Sequence, residues 1–251
     1  TRALAAAGRA LTEAEPRTFG ELGALLAERW PDHSAAALAQ GVRGLVPLVQ
    51  VPPRAVWGAT GLARHTPAEA WLGRPLDRGG SLDTLMLRYL AAFGPASVRD
   101  VQAWSGLTGL REVAGRLRPA LRAFRDENGS ELLDLPDAPR PDPGTPAPVR
   151  LVAEYDNLIL SHADRARVVS ESDRPRLYGR NGVFPGTVLV NGFVAGMWRV
   201  TRPAGAVRLT VEPFGKISVR DRDAVTDEAR RMLAFAAPEG AATDVRFAPA
   251  G

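Results

Sequence analysis

An α+β chain is expected, built as two tandem helix-turn-helix modules, each closed by a hairpin wing, ahead of a small mixed β, barrel-like domain. Three observations predict it. The first is a repeat: Pro16-Arg17-Thr18-Phe19-Gly20-Glu21-Leu22 returns as Pro95-Ala96-Ser97-Val98-Arg99-Asp100-Val101, and Leu45-Val46-Pro47-Leu48-Val49-Gln50-Val51 returns as Leu117-Arg118-Pro119-Ala120-Leu121-Arg122-Ala123. The second is the grammar of both copies. Thr or Ser starts a helix with an acidic residue in its first turn, then come a second helix and a short extended run, the order of a winged helix. The third is a change of pattern beyond a proline-rich stretch, where helical spacing gives way to short β-rich runs.

The elements follow in order. The chain opens inside a helix, Thr1 to Ala10, and so reads as the middle of a longer protein. From Thr18 to Ala27, Phe19, Leu22, Leu25 and Leu26 recur at helical spacing, and Trp30-Pro31 stops that helix. Asp32 or Ser34 caps the next, which runs to about Val46. Leu48 to Val51 then alternates as a strand, and Pro52-Pro53-Arg54 with Val56-Trp57 returns as the second wing strand. The first module spans residues 1–76.

The second module, 77–136, starts at the turn-rich Asp77-Arg78-Gly79-Gly80, followed by a helix from Ser81 carrying Leu82, Leu85, Met86 and Tyr89. Val98 to Ser105 is its middle helix, Thr108 caps a third running from Gly109 to about Leu117, and Phe124 to Leu133 is a hairpin with Asn128-Gly129 at its tip. Proline occurs six times between Pro136 and Pro148, so 137–148 is an extended linker.

The last domain, 149–251, contains predicted strands at Leu151 to Ala153, Leu158 to Leu160, Thr187 to Val190, Phe193 to Val200 and Val207 to Val211. Asn191-Gly192 joins two of them, because these residues tolerate the two positive φ values of a type I′ turn. Asp221 to Phe235 is a helix, and Asp244 to Phe247 a closing strand.

Composition narrows the function. The chain has 251 residues, no cysteine and three scattered histidines, His33, His65 and His162, so disulfides, thiolate nucleophiles and zinc-cysteine sites are excluded and neither a metal nor a cofactor is expected. No apolar run approaches the ~20 residues of a membrane span, and no secretory leader pattern is present, which leads to an expected cytoplasmic, nucleoid-associated monomer. Of 32 basic residues only Lys216 is lysine. Arginine's planar fork suits phosphate and guanine edges, although arginine in place of lysine also follows from GC-rich coding.

Several stretches resemble the bacterial winged-helix family of AlkZ-like DNA glycosylases. They are Leu48-Val49-Gln50-Val51-Pro52-Pro53-Arg54-Ala55-Val56-Trp57-Gly58, His65-Thr66-Pro67-Ala68-Glu69-Ala70-Trp71-Leu72-Gly73, Val101-Gln102-Ala103-Trp104-Ser105-Gly106-Leu107, and Glu154-Tyr155-Asp156-Asn157-Leu158 with Ser161-His162-Ala163-Asp164-Arg165. The resemblance implies three tandem winged helices and a β domain around duplex DNA, releasing bulky alkylated purines and unhooking crosslinks. It also implies a catalytic glutamine, an apolar residue, then glutamine or aspartate in the first winged helix, which would lie before Thr1. Gln50-Val51-Pro52 begins like that motif and ends in proline, so no catalytic residue is carried over.

The candidate DNA contacts are Arg43 on the first module's third helix, Arg111, Arg116 and Arg118 on the second's, and Arg54, Arg122, Arg125 and Asn128 on or beside the wings. Arg174, Arg176, Arg180 and Asn181 precede a hairpin, and Lys216 follows the Phe214-Gly215 turn. A polar cluster of Glu154, Tyr155, Asp156, Asn157, His162, Asp164 and Arg165 could do acid-base chemistry in a cleft, or it could be capped turns with an Asp-Arg pair. Trp30, Trp57, Trp71, Trp104 and Trp198 read as core rather than base-stacking residues. The rival to a DNA-repair protein is a non-catalytic winged-helix regulator or protein-interaction module.

Overall fold

Thr18 and Ser97 start their helices in the same way. The Thr18 hydroxyl accepts the Glu21 N–H while the Glu21 carboxylate accepts the Thr18 N–H, and Ser97 and Asp100 make the same reciprocal pair. The computed structural model describes residues 1–54, 56, 59–77, 79–178, 182–203 and 205–249. Trp57, Arg78, Arg180 and Asn181, named above, lie outside them. The chain divides into two compact units, Thr1–Gly80 and Ser81–Gly251.

The first unit has three helices, α1 (Arg2–Ala14), α2 (Phe19–Arg29) and α3 (Ala35–Leu45). Ser34, not Asp32, caps α3. Leu22, Leu26, Leu38, Val42 and Val46 form the core, with Phe19 and Trp30 packed against it. The expected wing differs from the observed one. β1 (Leu48–Val51) pairs antiparallel with β2 (Arg64–Pro67), and Pro52-Pro53-Arg54 forms a turn, because proline lacks the N–H that a returning ladder needs. The five-residue α4 (Ala68–Leu72) follows.

In the second unit α5 (Leu82–Phe93), α6 (Val98–Ser105) and α7 (Leu110–Leu117) enclose Met86, Tyr89, Leu90, Val101, Leu110 and Val113. Thr108 does not cap α7. Gly109, at φ 74°, turns the chain into the helix, which leaves Thr108 one residue too early for its hydroxyl to reach the first-turn N–H groups. After a 3-10 turn, β3 (Arg122–Arg125) and β4 (Glu131–Asp134) form the hairpin around Asn128-Gly129.

The repeat is visible in three dimensions. Arg17, one residue before the α2 cap, bridges to His65 in β2, and Ala96, one residue before the α6 cap, bridges to Leu133 in β4. Each hairpin thus gains one antiparallel rung from the segment that starts the middle helix. The second half of the repeat slips, since the 3-10 turn Arg118–Ala120 delays β3 relative to β1.

Residues 135–149 contain turns and no helix or strand. Beyond them β5 (Arg150–Val152), β6 (Gly186–Val190), β7 (Phe193–Thr201), β8 (Ala206–Pro213) and β9 (Ala242–Phe247) form one sheet in chain order. All neighbours are antiparallel except β8 and β9, which the helix α9 (Val219–Ala236) joins as a parallel crossover. The sheet is open, with β5 and β9 as edges, and does not close as a barrel. Asn191 and Gly192 take φ 50° and 82° in the β6–β7 turn, both positive as a type I′ turn requires.

Both faces of this sheet are covered, so β6 is buried along four consecutive positions, Gly186 to Leu189, with Thr187 the polar residue among them. Val188, Val207, Leu209 and Val211 pack with Val225, Ala229 and Leu233 of α9, whereas Leu189, Val194 and Phe214 pack with Ile159, Val169, Leu177 and Phe184. Leu158 to Leu160 is not a strand. Asp156 Oδ1 accepts the Leu158 N–H at 2.8 Å and Ser161 N–H donates to Asn157 O at 2.8 Å, which winds the segment into the helical turn α8 (Asn157–Leu160). Among the described residues no helix is long and apolar enough to cross a membrane.

Candidate nucleic-acid interface

In the second unit, Arg99 from α6, Arg111 and Gly115 from α7, Arg118, and Glu131 of β4 line a cleft of about 390 Å³. Its charge is lopsided, because Glu131 is the carboxylate there among the described residues and is ion-paired with Arg118. That contact holds the Glu131 carboxyl below its ordinary pKa. Arg99 and Arg111 have no hydrogen-bond or ion-pair partner among the described residues. A Cβ on Gly115 would meet nothing within 4 Å, so the floor is open to close approach.

Arg99 also borders a larger cleft of about 750 Å³ with Arg125, Asn128, Arg167 and Phe193. Four carboxylates line it, three of them engaged with backbone. Asp126 Oδ1 accepts the Asn128 and Ser130 N–H groups, Asp164 Oδ1 accepts the Ala166 N–H, and Asp100 binds Ser97 and Ala163. Arg125 donates to Gly129 O at 2.8 Å and faces Glu131 across the hairpin, where its charge helps hold that carboxyl low, whereas Arg167 donates to Pro95 O at 3.3 Å and has no carboxylate ion pair among the described residues. Arg99 and Arg167 were missed in the sequence. Their only signal was proximity to the Ser97 cap and to the 154–165 cluster, and neither fell on a helix expected to face DNA.

The other expected contacts are spread out. Arg116 is tied to Asp83 at 2.7 Å, and Arg122 lies over the Phe124 ring at 5.2 Å. Arg174 pairs with Glu171 at 3.7 Å and bonds the Tyr178 hydroxyl. Arg176 donates to Phe214 O at 2.8 Å and stands 4.2 Å over that ring, which pins the turn after β8. Lys216 is exposed beyond that turn. In the first unit Arg54 is exposed and Arg43 lies 5.8 Å over Phe19, whose other neighbour is the stacked His65 ring at 4.1 Å. Burial pushes the His65 pKa down, with nearby Arg43 acting in the same direction against the hydrogen bond to Arg17.

The polar cluster does not converge on a single cleft. Tyr155 is exposed at φ 57°, Asp156 caps α8, Asn157 opens that helix, and Arg165 packs 5.5 Å over Tyr178. His162 is buried between Phe93 O at 3.0 Å and Ser161 Oγ at 3.1 Å. Burial and then Arg167 depress its pKa, only partly offset by the Phe93 carbonyl, Asp100 and Asp164. These ties hold the helices to the β domain: Tyr89 donates its hydroxyl to Ser161 O at 2.7 Å, and Asp100 Oδ1 accepts the Ala163 N–H at 2.9 Å. Burial is the largest influence on Asp100 and raises its pKa, but the Ser97 and Ala163 hydrogen bonds together hold it low.

Trp30 and Trp198 are half-buried against their cores, with Trp198 Nε1 donating to Val152 O at 2.9 Å, whereas Trp104 departs from the core reading, being exposed with its ring beside Tyr89 and Phe93. Trp71 departs from it further, being 55% exposed. The short helix α4 buries only Ala68, and its ring points elsewhere.

Residues 1–235 match the family model described as DNA glycosylase AlkZ-like. The chain belongs to the AlkZ-like DNA glycosylase family. Its fold is similar to that of Streptomyces sahachiroi DNA glycosylase AlkZ, with a TM-score of 0.71 at 19% sequence identity over 98% of this chain and 69% of that one. No curated protein sequence matches it. Membership of the AlkZ-like family explains why the arrangement of helices, hairpins and sheet persists at an identity too low to be obvious residue by residue.

Proposed function

We propose that this AlkZ-like chain is the duplex-binding part of a DNA glycosylase acting on bulky alkylated or crosslinked purines, and that its two repeated units are winged helices. The observation that carries the reading is the α6–α7–β4 cleft with Arg99 and Arg111 unpaired beside Arg118. In a winged helix the third helix enters the major groove and the wing lies along the backbone, which is where α7 and the β3–β4 hairpin would place Arg111, Arg125 and Asn128. The bridges Arg17–His65 and Ala96–Leu133 support a shared build for both units. Such a protein acts as a monomer on the nucleoid and needs no metal or cofactor to bind.

The chemistry is assigned to no residue here. Gln50 lies exposed on β1 opposite His65, in a hairpin strand rather than a site that shields a water. Fluorescence anisotropy with duplex DNA at increasing salt tests the binding. Log affinity should fall with log salt at about −0.9 per phosphate contact, and Arg99→Ala with Arg111→Ala should make the slope shallower by about 1.8 if each holds one phosphate. A flat salt response refutes DNA binding. These 251 residues should generate no abasic sites in methylated duplex. Sustained release after repurification would instead locate the catalytic centre here, with Asp156→Asn and Asp164→Asn the substitutions to separate chemistry from stability.

A further inference from the structure

A second basic cleft lies in the C-terminal part of the second unit. Pro213, Gly215, Lys216, Ile217, Arg222 and Phe247 line about 530 Å³ of open space. Lys216 comes from the loop after β8 and Arg222 from the first turns of α9. Among the described residues no Asp or Glu lines it, and neither cation has a carboxylate partner. This sets the pair apart from Arg116, Arg118, Arg176, Arg208, Arg230, Arg231 and Arg246 in the same unit, all of them ion-paired. Two uncompensated charges in a concavity focus a field that attracts anions.

The cleft is held in shape. Arg222 stands 4.0 Å over the Phe247 ring, and Arg176 fixes the Phe214-Gly215 turn from below through Phe214 O and the Phe214 ring. Asp221, next to Arg222 in the chain, is occupied by the Ser218 hydroxyl at 2.7 Å, and neither it nor Asp223 or Glu212 lines the cleft. A Cβ on Gly215 would meet nothing within 4 Å, so the loop backbone is open to a ligand. A guanidinium fork and an ammonium with no acid between them fit the several oxygens of a phosphate.

We propose that this cleft is a phosphate-binding site, holding one phosphate group, carried on a DNA strand or on a free nucleotide, between the Lys216 ammonium and the Arg222 guanidinium. This goes beyond the α6–α7 interface and does not depend on it. Lys216→Gln with Arg222→Gln tests it, with Lys216→Arg and Arg222→Lys as the charge-preserving control; melting temperatures show that all variants fold.

Two measurements distinguish the sources. If the phosphate belongs to DNA, the glutamine pair loses about eightfold in duplex affinity at 0.1 M salt and its salt slope becomes shallower by about 0.9, while the control keeps both. If it belongs to a free nucleotide, duplex affinity is unchanged, and titration with AMP moves the Gly215 and Ile217 amide resonances in the parent and the control but not in the glutamine pair. Unchanged duplex binding together with immobile Gly215 and Ile217 resonances overturns the proposal. Failure of the parent to bind duplex at all would refute the earlier reading and leave the AMP result to decide this one.

Discussion

Asp100→Asn should unfasten the second unit at a single point. The carboxylate is 4% exposed and serves two partners at once: Oδ2 accepts from Ser97 N at 2.8 Å and Ser97 Oγ at 2.7 Å, and Oδ1 accepts from Ala163 N at 2.9 Å. Asparagine retains one acceptor oxygen. If that oxygen keeps the Ser97 cap, the amide NH₂ faces the Ala163 N–H, donor against donor, and the link from α6 to the β domain is lost. Losing one hydrogen bond to a charged group costs about 1.5–3 kcal/mol, and turning the others from charge-assisted to neutral weakens them further, for a total of about 2–4 kcal/mol. For a unit of this size that corresponds to a fall of about 5–15 °C in melting temperature. Calorimetry and urea denaturation at neutral pH measure it. The Asp100 pKa is lowered in the fold, so its contribution is present above the ordinary carboxylate pKa and disappears as pH falls through the lowered value; the asparagine variant should show a flatter acid limb. A loss below about 0.5 kcal/mol, within the range of an ordinary surface change, would refute the idea that this carboxylate fastens the two parts together.

His162 carries a pH signature of the same sign, placed higher on the pH scale. Its pKa is depressed in the fold, so the unfolded chain binds the proton first; stability should be complete above about pH 7 and fall as pH drops below the ordinary histidine value of about 6.5. His162→Gln should be less stable at neutral pH and lose most of that decline in urea midpoints, and equal slopes would count against it. Gly186→Ala puts a Cβ 2.7 Å from the Trp198 ring and should cost about 1–3 kcal/mol, seen as a lower melting temperature with disturbed indole fluorescence. Gly23→Ala meets Ala35 O at 2.5 Å, so it must push α2 from α3; a comparable loss, read by amide exchange in residues 19–45, is expected.

What the sequence determined by itself is what neighbouring residues decide among themselves. Thr18 with Glu21 and Ser97 with Asp100 make capping boxes because each side chain reaches an N–H only three residues away, and Asn191-Gly192 turns because of its own φ preferences. The helices α2, α5 and α6, the β3–β4 and β6–β7 hairpins and the family resemblance were legible on that scale. The misses have one cause. The partner of β1 is β2 at Arg64, beyond a proline turn, and the apolar run at Leu158 winds into a helix once Asp156 takes the Leu158 N–H.

The interface shows the same division. Arginines on α7 were visible, but whether one is free depends on residues far along the chain: Asp83 binds Arg116 and Glu131 binds Arg118, while Arg99 and Arg111 stay unpaired among the described residues. Only the tertiary structure showed that Asp100 reaches Ala163, that His162 is walled in by Phe93, and that Lys216 and Arg222 share a cleft. Hydrogen bonds and ion pairs act over a few ångströms, whereas the sequence separations they close run to dozens of residues, so which charge is spent and which is left for a ligand is decided by packing.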